Sequence, residues 1–86
     1  MEINQLKAIY DGRKSFYGKA QLIESDETID LQSYDTIVAT YYKNKNKLVL
    51  HGKYSQTTTR HQKEFAKQLG FDFKNSKELF DKYLEL

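Results

Sequence analysis

Apolar and polar residues alternate with a period of two along most of residues 1–54, a pattern typical of half-buried strands. The alternation is weak in residues 1–12, which predict a short strand or a helical turn, and it is clearer in residues 15–23. Residues 28–43 are rich in β-branched and aromatic side chains, and residues 47–54 form a further alternating run. The first part of the chain is therefore predicted to be sheet.

Polar turn signals separate these runs. Residues 24–27 have no apolar period and predict a hairpin loop. Asn44, Lys45 and Asn46 predict a second hairpin, because asparagine tolerates the left-handed backbone conformation that such turns need. Gly18 lies inside a run, where a glycine usually marks a bulge or a close backbone approach.

The run over residues 28–43 needs a change of register to keep its apolar side chains on one face. Leu31 belongs to its first half, and Ile37, Ala39 and Tyr41 share one face of its second half. Both halves can face the core only if the chain bulges or breaks between them, so we expect a bulge or two separate strands around residues 32–35. In the next run Leu48, Leu50, Gly52 and Tyr54 are predicted to form the buried face.

A helical period replaces the alternation after residue 54. Ser55 suits an N-cap, because its hydroxyl can accept from the amides of the first turn. Gly70 predicts a left-handed C-terminal stop, and Asn75 with Glu78 forms a capping-box pattern that begins a second, shorter helix. The residues predicted to face inward on the first helix are Thr58, His61, Gln62, Phe65, Ala66 and Leu69.

These elements predict an α+β fold: a three- or four-stranded antiparallel sheet followed by two C-terminal helices packed on one face. Residues 1–86 read as a single domain, and a chain of 86 residues buries only roughly 60 to 65% of its unfolded surface. Little room is left for an enclosed catalytic cavity. Hydrophobic residues make up 38% and charged residues 30%, which is a globular rather than a disordered composition.

The chain has no cysteine, which excludes a disulfide framework, a thiolate nucleophile and a zinc site built on sulfur. No segment approaches the roughly 18 consecutive apolar residues that span a bilayer. We therefore expect a cytoplasmic protein without a membrane contact or a cofactor.

The net charge of +2 is unevenly distributed along the chain. Residues 24–35 contain five acids and no base, whereas residues 43–67 contain seven bases and the single acid Glu64. A basic segment attracts polyanions or an acidic protein surface. Alternatively, the two segments are neighbours in the sheet and neutralise each other.

The start of the predicted helix is the first candidate binding site. Thr57, Thr59 and Arg60 follow the N-cap, and Lys63 and Lys67 lie on the exposed face beside them. Backbone amides at a helix N-terminus favour a phosphate or carboxylate, and Arg60 could clamp it in a bidentate way. In the alternative interpretation, the hydroxyls only cap the helix and bond back to the chain.

The basic hairpin is the second candidate. Tyr42, Lys45, Lys47 and Lys53 would interleave an aromatic ring with ammonium groups on an exposed sheet face, as in proteins that stack bases and contact phosphates. The alternative is that the lysines protect an exposed edge and aid solubility.

The two histidines, His51 and His61, are the third candidate, with Asp35 or Glu64 nearby. Their spacing matches neither a metal site, which needs three or four convergent ligands, nor a nucleophile held beside its base. His61 is predicted to be a hydrogen-bonded core residue and His51 a surface residue of the sheet. We therefore predict no catalytic residue and no metal ligand.

Three stretches resemble a family of short, mostly uncharacterised proteins carried by phages, prophages and plasmids of Gram-positive bacteria. They are SFYGKA at residues 15–20, SYDTIVA at residues 33–39, and the pattern YSxTTxRHxxEF at residues 54–65 with Gly70 and Phe71. The resemblance covers most of residues 7–73 and implies a mobile-element origin and a cytoplasmic bacterial setting, without a known reaction. Small non-catalytic proteins of such elements often look like inhibitors of host defence nucleases, including anti-CRISPR proteins.

Two functions of different class follow. One is a protein-binding inhibitor that docks on a host protein, such as a nuclease; the other is a nucleic-acid-binding accessory protein of phage replication or regulation. The sequence narrowly favours the inhibitor, because acidic residues 24–35 would repel a phosphate backbone if they were exposed beside the basic segment. Both a monomer and a homodimer are compatible with the sequence.

Overall fold

The computed structural model describes residues 1–12 and 15–85, in which five strands precede two helices. The strands are β1 (Glu2–Gln5), β2 (Ala20–Glu24), β3 (Thr28–Ser33), β4 (Thr36–Tyr42) and β5 (Lys47–Leu50), and the helices are α1 (Gln56–Gln68) and α2 (Ser76–Tyr83). The strands form one antiparallel sheet in the order β1-β2-β3-β4-β5. The predicted α+β class is confirmed, and no helix in the described part of the chain is long and apolar enough to cross a membrane.

The prediction of three or four strands is wrong, because β1 adds a fifth. Ile3 of β1 pairs with Ile23 of β2, but every residue of β1 is exposed, so the strand buries neither face and leaves almost no alternation in the sequence. β2 also begins later than predicted. Tyr17 and Gly18 have φ values of 54° and 77°, which turn the chain before the strand starts.

The predicted break in the third run lies at Tyr34 and Asp35, which connect β3 to β4. Tyr34 has a φ of 55°, the left-handed conformation that a tight hairpin requires. The predicted asparagine turn is also present: a 3₁₀ turn over Lys43–Lys45 ends at Asn46, whose φ is 47°. Three hairpins therefore join β2 to β5, including the predicted loop before Thr28.

A β-bulge at Val38 changes which residues of β4 face the core. Leu31 pairs with Ala39, whereas Gln32 pairs with Ile37, so one residue of β4 has no partner on β3. Val38 is 1% exposed and Ile37 is 37% exposed. The prediction that Ile37 faces the core is wrong, because the bulge turns Val38 inward in its place.

The core lies between one face of the sheet and the two helices. Ser55 and Asn75 cap α1 and α2 by accepting from the amides of Thr58 and Glu78 at 3.2 and 3.0 Å, and Gly70 follows α1 with a φ of 89°. The buried apolar residues are Leu6, Phe16, Ala20, Leu31, Val38, Ala39, Leu48, Leu50, Phe65, Ala66, Leu79 and Phe80.

Among the described residues, no helix packs on the other face of the sheet. Ile23, Asp30, Thr40 and Val49 pair in one row across β2 to β5, and they alternate with the core-facing residues of their strands. On this face the Thr40 hydroxyl donates to Asp30 Oδ1 at 2.6 Å. Asp30, one of the five acids of the acidic segment, therefore points away from the helices.

Candidate functional site

His61 lies in the core where the three stretches of the sequence resemblance meet. Its side chain is 1% exposed, and its Nδ1 atom is 2.8 Å from the Ser33 hydroxyl. The Ser33 hydroxyl is in turn 2.9 Å from that of Thr58, and the Phe16 ring packs edge-on against the imidazole at 4.7 Å. The prediction of a hydrogen-bonded core histidine is confirmed.

The hydroxyl groups around His61 form a hydrogen-bonded chain. Ser55 Oγ donates to Thr58 Oγ1 at 3.3 Å, and the chain continues from Thr58 through the Ser33 hydroxyl to His61 Nδ1. A serine beside an imidazole is also the arrangement of a nucleophile and its base. Ser33, however, is only 2% exposed, and we therefore interpret the chain as a structural element.

His51 lies on the opposite face of the sheet. Its Nε2 atom is 2.8 Å from Thr40 Oγ1, and its Nδ1 atom is 3.3 Å from a carboxylate oxygen of Glu85. The two histidines therefore do not converge. Within residues 1–12 and 15–85, no three histidine or carboxylate side chains are placed to hold a metal ion.

Arg60, Lys63 and Lys67 form a stripe along the outer side of α1, because residues three and four positions apart share a helix face. The Arg60 guanidinium is 3.3 Å from Asp11 Oδ1. Among the described residues, no carboxylate lies within ion-pair distance of Lys63 or Lys67. Lys63 and Lys67 are thus the two cations of the stripe that no ion pair neutralises within this part of the chain.

Lys53 extends the stripe across to α2. Its ammonium lies 5.4 Å from the centroid of the Phe80 ring, a cation-π distance. We define Lys53, Arg60, Lys63 and Lys67 as the cationic face.

Two cavities open on either side of α1, and Arg60 and Lys63 line both of them. The loop cavity, of about 280 Å³, is bounded by residues 10–12 and includes Lys67. The interhelical cavity, of about 460 Å³, lies between α1 and α2. Its lining residues are Lys53, Tyr54, Gln56, Thr59, Arg60, Lys63, Ser76 and Phe80.

Glu64 connects the loop of residues 10–12, which bounds the loop cavity, to α1 by hydrogen bonds. Its carboxylate is 2% exposed and accepts the backbone amides of Tyr10 and Asp11 at 2.9 and 2.8 Å, and the Gln68 side-chain amide at 2.6 Å. From the sequence, Glu64 is the single acid of a basic segment and a carboxylate near the histidine pair, and no structural role is predicted for it. Its position next to Phe65 on the inner side of α1 is the signal that could have identified its structural role.

Replacing Glu64 by glutamine is expected to destabilise the domain by about 1 to 3 kcal/mol, because the amides of Tyr10 and Asp11 both donate to Oε1, and an NH2 group in place of Oε2 would face the Gln68 side-chain amide, donor against donor. Urea unfolding followed by circular dichroism measures the change. Glu78→Gln is the matched control: Glu78 forms an i,i+4 ion pair with Lys82 on the surface of α2, a pair that contributes only about 0.3 to 0.5 kcal/mol. Equal effects of the two substitutions would contradict the anchoring role.

The structure brings together only part of the residues predicted to bind a partner. Lys53, Arg60, Lys63 and Lys67 form the cationic face. Thr59 lines the interhelical cavity, but its hydroxyl donates to the Ser55 carbonyl at 3.1 Å, as the capping interpretation predicts. The cavities are also lined by Tyr10, Tyr54 and Phe80, which the sequence did not predict as binding residues because other segments of the chain contribute them.

Thr57, Tyr42, Lys45 and Lys47 lie outside both cavities. Tyr42 pairs with Lys47 across β4 and β5 on the helix-free face, and Lys45 lies in the 3₁₀ turn. The basic hairpin and the helix are thus separate surfaces.

Tyr54 was predicted to face the core, which is wrong. β5 ends at Leu50, so the alternation no longer applies four residues later, and the Tyr54 side chain is 43% exposed.

Two acids of the acidic segment, Glu24 and Asp30, lie away from the cationic face. Glu24 accepts the ammonium of Lys43 at 2.6 Å at the edge of the hairpins, and Asp30 is on the helix-free face. The prediction that the acidic and basic segments neutralise each other therefore holds for this one pair.

A comparison with protein-family models matches residues 4–82 to a family of unknown function, DUF8033. No curated protein and no solved structure matches the chain. The match spans the five strands and two helices except for the first two residues of β1 and the last residue of α2. The chain therefore belongs to the DUF8033 family of unknown function.

Proposed function

We propose that this protein is a non-catalytic nucleic-acid-binding protein that contacts phosphates with its cationic face. The observation that carries the proposal is the convergence of Lys53, Arg60, Lys63 and Lys67 around the two cavities beside α1. Clustered lysine and arginine side chains on one surface are the electrostatic footprint of nucleic-acid binding. For this binding, the clustering of positive charge on one surface is more important than the small net charge of +2.

Two features favour nucleic acid over an acidic protein as the partner. The repulsion that the acidic segment would exert is reduced, because Glu24 is paired with Lys43 and Asp30 points away from the helices. Three of the four cations are lysines, which are depleted from the cores of protein interfaces but are common contacts of phosphate groups.

Binding should be measured by fluorescence anisotropy with labelled single- and double-stranded DNA of about 16 nucleotides at several salt concentrations. The affinity is expected to fall steeply with salt, because each phosphate contact releases counterions. The double variant Arg60→Glu and Lys63→Glu is expected to bind at least about tenfold more weakly and to show a smaller salt slope.

The matched control is the double variant Lys45→Glu and Lys77→Glu. It changes the net charge by the same amount on exposed residues outside both cavities, and its affinity is expected to change by less than about threefold. A flat titration of the unmodified protein at low salt would contradict the proposal. Equal losses of affinity in the two double variants would show that DNA is attracted only by the net charge of the protein.

A second candidate is the inhibitor that docks on a host protein such as a defence nuclease. It is favoured by exposed Tyr10 and Tyr54 beside Arg60, since tyrosine and arginine are enriched among the residues that dominate protein interfaces. Capture of a host protein that survives nuclease treatment, and that Arg60→Glu abolishes, would favour this candidate. The mobile-element origin and the cytoplasmic setting remain expectations from the sequence resemblance.

A further inference from the structure

The interhelical cavity combines an exposed aromatic ring with cations in one place. Tyr54 is 43% exposed in its wall, and the cationic side chains of Lys53, Arg60 and Lys63 line the same space. The cavity is an open groove rather than an enclosed pocket, and its volume of about 460 Å³ is that of a small organic ligand's site. One nucleotide is of that size class.

The Tyr54 ring is held in position by its surroundings. A Cβ atom added to Gly52 would lie 3.3 Å from Tyr54 Oη and 3.4 Å from Cζ, so the ring packs closely over the glycine backbone. The Gly52 carbonyl accepts the buried side-chain amide of Gln62 at 3.1 Å. The ring is therefore supported through Gly52 by α1 rather than left to rotate in solvent.

The Lys53 ammonium is positioned as well. It lies 5.4 Å from the centroid of the Phe80 ring, which is 7% exposed and belongs to the core. A flat ring and a neighbouring cation on one cavity wall match a nucleotide, whose base offers a π-face and whose phosphate carries the charge.

We infer that the cavity binds single-stranded nucleic acid, with one base stacked on Tyr54 and the adjacent phosphates contacted by Lys53 and Lys63. This inference rests on the proposed nucleic-acid-binding function and names its ligand. A duplex cannot bind in the same way, because its bases are stacked on each other and reach a protein ring only after unpairing.

The test uses Tyr54 variants and three probes: an oligothymidylate, a duplex of the same length and inorganic polyphosphate, which carries phosphates without bases. Tyr54→Ala is expected to weaken oligothymidylate binding about tenfold, whereas Tyr54→Phe keeps the ring and the affinity. Tyr42→Ala is the control, because Tyr42 is similarly exposed at 38% but lies on the helix-free face. Thermal unfolding of each variant verifies that it is folded.

A direct signal comes from Tyr54→Trp, since the chain contains no tryptophan. Its fluorescence is expected to be quenched by oligothymidylate and unchanged by polyphosphate. Equal binding of all three probes, with no loss in Tyr54→Ala, would overturn the inference but leave the cationic face as a polyanion site. Binding of none of them would overturn the proposed function as well.

Discussion

Replacing Gln62 by glutamate is expected to lower the free energy of unfolding by about 3 kcal/mol or more at neutral pH. Gln62 is fully buried, and its side-chain amide donates to the carbonyls of Val38 and Gly52, each at 3.1 Å. A carboxylate cannot donate, so it would place a negative charge against two carbonyl oxygens in the core. The amide thus joins α1 both to the bulge of β4 and to the segment after β5.

The loss in Gln62→Glu should depend on pH, because burial raises the pKa of the introduced carboxyl group above its value of about 4.3 in the unfolded chain. Below about pH 4.3 the carboxyl group is protonated in both the folded and the unfolded chain, and its proton can replace one of the two lost hydrogen-bond donors. As the pH rises, the unfolded chain releases this proton first, so the variant loses up to about 1.4 kcal/mol per pH unit. The loss stops growing once the pH passes the pKa in the folded state.

Urea unfolding at about pH 4 and about pH 7.5 measures this pattern, with the difference between variant and unmodified protein as the readout. Gln56→Glu is the matched control, since Gln56 is exposed at the first position of the same helix. A carboxylate there interacts favourably with the helix dipole, so its stability should be unchanged or slightly higher. A Gln62→Glu variant that is as stable as this control at both pH values would show that the two hydrogen bonds are unimportant.

Gln62 also shows how far the sequence determines the fold. The helical period places it on the inner face of α1, and this is confirmed. Its partners could not be predicted, because they lie on separate segments: the Val38 carbonyl is at the bulge of β4, which arises from the register between β3 and β4, and the Gly52 carbonyl follows β5. Register depends on the pairing of separate segments, and Ile37 was misplaced for the same reason.

The candidate site was also predictable only where a single element positions its residues. Arg60, Lys63 and Lys67 were found from local periodicity, because one helix positions all three. Lys53 and Tyr54 join them only where α2 closes the interhelical cavity, and no local pattern reports the position of α2 against β5. The basic residues 43–67 are therefore divided between the hairpin surface and the cationic face. The candidate site is instead assembled from segments that are distant in the sequence.

His61→Ala is expected to destabilise the domain by about 3 kcal/mol, whereas His51→Ala should cost only about 1 kcal/mol. The first substitution leaves a cavity beside Phe16 and removes the hydrogen-bond partner of Ser33 at the end of the hydroxyl chain. The second removes a half-buried ring whose partner Thr40 keeps its hydrogen bond to Asp30. An 86-residue domain is stable by only about 4 to 13 kcal/mol, so the difference decides how much of the protein stays folded.

The two substitutions make the same chemical change on the two faces of one sheet, so they control for each other in urea unfolding experiments. His61→Asn provides a further arm: it restores a polar partner for Ser33 but not the ring contact with Phe16, and an intermediate stability is expected. If His61→Ala kept full stability but abolished nucleic-acid binding, the imidazole would belong to the binding site rather than to the core. The structural interpretation requires that binding, measured on the folded fraction, stays unchanged while the unfolding midpoint falls.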